Sequence, residues 1–177
     1  MNWKEQWIVA LDKEHLFENS SHRTRFKELL DCFADYPFFT KGLCKCMYLS
    51  AWDEEHFCIM LSMLTEMSLE HEKNTDEMRT QGDVLIAEQP EEESYIYRLS
   101  NAFLDNMPFQ LDDPQKVQPD ILHIIQKALH ASDIIDRLNK HCRSHEKKSS
   151  ICFRIPNSFL HEIMLRSIFF CTPEYTV

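Results

Sequence analysis

The chain has 177 residues, 44% hydrophobic and 11% aromatic, with a formal net charge of −10. That length and apolar content are enough for one domain over residues 1–177 and far from the composition of disorder. No apolar run approaches the roughly 20 residues of a membrane-spanning helix. Gly42 and Gly82 are the only glycines, where a usual share is about 7%; a Walker loop, a G-x-G-x-x-G turn and a G-x-S-x-G elbow need several, so all three are excluded.

The same scarcity disfavours turn-rich β and doubly wound folds and predicts an all-α chain of six to eight helices with at most one short strand pair. Ser20 and Ser21 precede a 3.6-period stripe of Phe26, Leu29, Leu30 and Phe33, a capped helix ending before Pro37. A second helix is predicted from Pro37 to Trp52 on Leu43, Cys46 and Met47, and a third, capped by Asp53, from Glu54 to Lys73 on Phe57, Met60, Leu61, Leu64 and Met67. Residues 74–90, with Asn74, Gly82 and Pro90, read as a broken connection holding one helical turn and an extended piece at Val84 to Ala87. Pro90 opens a helix with the stripe Tyr95, Leu99, Ala102 and Phe103, and residues 105–119 form the longest loop. Pro119 and Asp120 open the next helix on Ile121, Leu122, Ile124, Ile125, Ala128 and Leu129. Ser132 is expected to cap a separate helix to Arg143. Ser149 to Ile155 reads as extended, and Asn157 caps a last helix to Phe170.

The charge is unevenly placed. Between Asp53 and Glu93 stand thirteen carboxylates and two bases, Lys73 and Arg79, whereas the remainder sums to +1. Residues 137–166 carry seven bases and two acids. A net field of −10 repels phosphate, so direct nucleic-acid binding by the whole chain is not expected. An acidic helical surface instead suits a basic groove, the kind a nucleic-acid-binding nuclease presents to phosphates. The expected partner-binding residues are Glu66, Glu70, Glu72, Asp76, Glu77, Glu91, Glu92 and Glu93, with plain solvation of exposed helix faces as the bland counterpart.

Metal chemistry is the alternative. Cys44, Cys46, His56 and Cys58 give C-x-C followed by H-x-C, four soft ligands suited to zinc or iron. Within a helix, however, Cys44 and Cys46 diverge by about 200°. His141 and His145 stand one turn apart in a basic region, and His71-Glu72 and His161-Glu162 both lack the second histidine of H-E-x-x-H. Glu66 and Glu70 at i, i+4 could hold a cation, but no E-x-x-H of the di-iron type occurs in the chain. No catalytic residue, cofactor or metal is expected, and the protein is read as non-enzymatic. Seven cysteines, mostly inside apolar runs, suit reduced buried thiols. Met1-Asn2-Trp3-Lys4-Glu5 has no basic patch leading into an apolar run, so no signal peptide and a cytoplasmic location are expected.

The order Phe17, His22, Arg25-Phe26, Leu29-Leu30, the apolar run Leu43 to Trp52, Tyr97 to Phe103 and Leu122 to Leu138 resembles a family of small uncharacterised helical proteins of Firmicutes and their phages and conjugative elements. The resemblance covers residues 15–140 and carries no catalytic residues. It implies a bacterial cell and an accessory role of a mobile element; by analogy, small acidic proteins of such elements include inhibitors of defence nucleases, anti-CRISPR proteins among them. A homo-oligomer, in which the basic C-terminal region of one copy meets the acidic middle of another, is the remaining alternative.

Overall fold

The computed structural model describes residues 3–142 except residue 89, without the side chains of residues 92, 93 and 139–142. Among these residues the protein is all-α. Seven helices, α1 (Trp3–Lys13), α2 (Ser20–Phe33), α3 (Lys41–Ser50), α4 (Glu54–Leu69), α5 (Asp76–Glu88), α6 (Glu91–Leu104) and α7 (Pro119–Cys142), and a 3-10 turn at Pro114–Lys116 occur without a strand. None of these helices is long and apolar enough to cross a membrane.

The centre is α3. Every residue from Leu43 to Ser50 is buried, so α3 is enclosed on all sides, as an all-round apolar helix must be. It packs against α2, α4, α6 and α7. Its start is set by Thr40, whose hydroxyl accepts from the Leu43 N–H at 3.1 Å, and so lies at Lys41 rather than at the predicted Pro37. Its end is held from α2: Arg25 donates to the carbonyls of Ala51 (2.7 Å) and Trp52 (2.8 Å), groups that a helix terminus leaves without partners. At the start of α3, Gly42 lies against the Phe103 carbonyl in the last turn of α6; a Cβ there would sit 2.3 Å from that oxygen. The two helices approach this closely because position 42 has no side chain.

Only two glycines are available, and neither is spent on ending a helix. Helices α1, α4 and α6 stop in the left-handed manner with His15 (φ 54°), His71 (φ 59°) and Asn106 (φ 53°) in the position usually given to glycine. In each case the next residue's N–H reaches back five residues, Leu16 to Leu11, Glu72 to Met67 and Met107 to Ala102, which closes a Schellman motif. This places the end of α4 at Leu69 rather than Lys73.

Two predicted breaks are corrected. Residues 76–88 form a full helix, with no extended piece at Val84 to Ala87. Asn74 starts it by accepting the Asp76 N–H at 3.0 Å, and Gly82, which looks like a breaker in sequence, is buried where Asn101 of α6 packs onto it. Ser132 does not begin a new helix; α7 runs through it. The buried series Ile124, Ile125, Ala128, Ala131, Ser132 and Ile135 keeps helical phase across that position, so tertiary burial outweighs the local preference of serine for a cap. Helix α1, not anticipated above, inserts Trp7, Ile8 and Leu11 into the core. The basic residues 143–166, the extended piece at 149–155 and the last predicted helix fall outside the described residues.

Candidate functional site

Of the thirteen carboxylates between Asp53 and Glu93, some are used internally. Asp53 caps α4, accepting from the His56 N–H at 2.8 Å and contacting its Nδ1 at 2.8 Å. Asp83 and Asp105 hold Arg79 from two sides and push its already high pKa higher. Others are in no ion pair among the described residues. Glu66 and Glu70 on the last turns of α4, and Asp76 and Glu77 on the first turn of α5, are exposed, and the Glu77 carboxylate only accepts from Gln81 at 3.1 Å. Glu72 is half-buried between them. In the same stretch of sequence Leu69, the last residue of α4, stands 53% exposed, and Lys73 is exposed in the connection to α5.

Glu91 is exposed but sits elsewhere. Helices α5 and α6 run antiparallel, shown by Arg79 to Asp105 (2.7 Å) and Asn101 to Asp83 (3.0 Å). Asp76 and Glu91 are thus at opposite ends of a helix about 20 Å long. The structure therefore gathers Glu66, Glu70, Glu72, Asp76 and Glu77 at one end and leaves the start of α6 as a second acidic spot. The side chains of Glu92 and Glu93 fall outside the described residues.

The candidate metal ligands are not brought together. Cys44 and Cys46 are buried on α3, and the Cys46 thiol donates to the Ser100 carbonyl at 3.3 Å. Burial pushes both thiols up, Cys46 to about 12, so they are protonated at neutral pH, whereas a metal takes thiolates. His56 is engaged by Asp53, and Cys58 lies half-buried on α4. No group of three or more His, Cys, Asp or Glu placed to hold a metal occurs among the described residues. His145, His161 and the side chain of His141 fall outside them.

A second titratable cluster is structural. His22 is 2% exposed. Its Nδ1 accepts the Glu18 N–H at 3.3 Å and its Nε2 faces the Tyr48 carbonyl at 3.0 Å, which assigns the neutral tautomer with the proton on Nε2. Burial lowers its pKa to about 4. Glu18 is itself raised by burial, but the hydrogen bond and charge of Lys127, together with His123, outweigh that and hold it below its usual value.

One site escaped the sequence reading. A cleft of about 390 Å³ opens between α7, the end of α6 and the residues just after it. Lys45 of α3 forms part of its lining although the side chain is only 6% exposed. Its Nζ meets Asp136 Oδ2 at 2.8 Å and lies 5.7 Å from the Phe103 ring centroid. Asp133 and Ser132 line the same cleft, as do Phe109 and Met107. The one signal in the sequence is a lysine inside an otherwise apolar run; its partner stands 91 residues away.

Comparison with protein-family models, with curated proteins and with solved structures returned no match.

Proposed function

We propose that this is a non-enzymatic binding protein of the bacterial cytoplasm, an accessory or inhibitory factor of a mobile element that offers its acidic α4–α5 end to a basic partner. The observation that carries the reading is the group Glu66, Glu70, Asp76 and Glu77, exposed and in no ion pair among the described residues, with Leu69 exposed in the same stretch of sequence. A predominantly acidic surface gives a steered encounter, and an exposed apolar side chain gives a dry contact. The neighbouring Asp53 and Asp83 are paired, and Asp76 and Glu77 also suit the first turn of α5, whereas Glu66 and Glu70 stand near the end of α4, where the helix dipole disfavours a carboxylate. A nucleic-acid-binding nuclease has the matching groove, which makes the proposed role anti-CRISPR-like.

The test is affinity purification from a bacterial lysate with the natural chain and with a variant carrying Glu66→Lys, Glu70→Lys, Asp76→Lys and Glu77→Lys. A partner is expected to be retained at low ionic strength, released by salt, and absent with the variant while its helical circular dichroism is unchanged. A partner held equally by the variant, or held regardless of salt, overturns the reading.

A further inference from the structure

The cleft at Lys45 is distinct from the acidic end and holds charges of both signs beside an apolar wall. An ammonium has three N–H donors. For Lys45 the hydrogen-bond acceptor is Asp136, which leaves two donors for whatever enters. Asp136 is shared, since Lys41 also approaches it at 3.9 Å. Asp133 stands one turn away on α7, exposed and with its carboxylate in no ion pair among the described residues. Phe103, whose ring lies 5.7 Å from the Lys45 Nζ, and Phe109 line the same cleft. A buried cation, a free anion within one helical turn of its counter-ion, and an aromatic wall together match a small zwitterion with an apolar side chain.

We propose that this cleft binds a free amino acid with an apolar side chain, its carboxylate on Lys45, its ammonium between Asp133 and Asp136, and its side chain on Phe103 and Phe109. The volume of about 390 Å³ falls in the range of small-ligand sites. The ligand's carboxylate takes the remaining donors of Lys45, which keeps Asp136, and its ammonium is balanced by Asp133 and Asp136, so neither ligand charge is left unpaired. A ligand with only one of the two charges makes only half of these contacts.

Titration of the full chain with L-phenylalanine, followed by calorimetry or by NMR shifts of α6 and α7 residues, tests the proposal. Saturable binding is expected, with 3-phenylpropanoate and phenethylamine each at least about 10-fold weaker, the cost of one lost charged contact. Asp133→Asn, at an exposed position, should weaken L-phenylalanine about 10-fold while leaving the melting temperature unchanged. Lys45→Met should abolish the preference for L-phenylalanine over phenethylamine. Absence of saturation by about 10 mM overturns the site. Equal binding of phenethylamine removes the carboxylate from Lys45, and full affinity in Asp133→Asn removes the ammonium from Asp133; either result overturns the proposal.

Discussion

Helices α3 and α5 contain one glycine each, yet they are held in opposite ways. From Leu43 to Ser50, α3 is wholly buried, whereas in α5 only Met78 and Gly82 are, and Val84 is 43% exposed. The core is thus built around α3, and α5 is a surface helix that packs on α6, burying Met78 and Gly82 and adding polar contacts from Arg79 and Asp83. Stability is expected to be distributed accordingly, because a helix held by exposed contacts opens more readily than one enclosed by apolar side chains.

Substitution of the two glycines is the sharpest way to break this comparison. In Gly42→Ala the new methyl meets the Phe103 carbonyl, which is backbone and has no rotamer to give. A loss of about 3 kcal/mol is expected in urea unfolding. In Gly82→Ala the methyl meets the Asn101 side chain instead, and the gain in helix propensity offsets part of the clash. A change within about 1 kcal/mol is expected there, and equal losses at both sites would contradict the unequal roles of the helices.

Acidification probes the enclosure of α3 through His22, which contacts the Tyr48 carbonyl. The folded chain resists protonation until about pH 4, while the unfolded one takes up a proton near 6.5. The stability contributed by the neutral imidazole is therefore complete above pH 6.5, falls as the pH drops, and is exhausted below about 4. The total is about 3 kcal/mol, and His22→Gln should flatten that part of the pH profile. A natural chain equally stable at pH 7 and pH 4.5 would show that the imidazole is not sequestered.

Arg25→Met should cost about 2 kcal/mol, because it leaves the Ala51 and Trp52 carbonyls without their charged donor. Hydrogen exchange should then rise first at the end of α3, not in α5. The smallest effect runs the other way. His71→Gly, at the turn that leads to α5, relieves a side chain in the left-handed region and should raise stability by about 1 kcal/mol, without altering exchange in α3.

How much could be foreseen differed between these helices for a physical reason. The stripe of α3 and its neighbours is dense enough that spacing alone identifies them. In α5 the stripe contains a glycine whose role is contact with Asn101, and nothing local distinguishes that from a glycine that ends a helix. Ser132 misled in the same way, since its cap preference is a local property and the phase of Ala131 and Ile135 is a tertiary one. The acidic cluster was legible as charge; its division into an α4–α5 group and an α6 start was not, because it depends on the length of a helix that the sequence hid. Lys45 and Asp136, 91 residues apart, had no local pattern to connect them.

The contact between Gly82 and Asn101 also acts as an index mark. Sliding α5 along α6 by one turn would bring the long side chain of Met78 or Ile86 to the place that Gly82 leaves to the Asn101 amide. A helix with so little apolar surface to orient it can therefore seat in a single register, and the acidic end it begins is presented at one fixed height on the molecule.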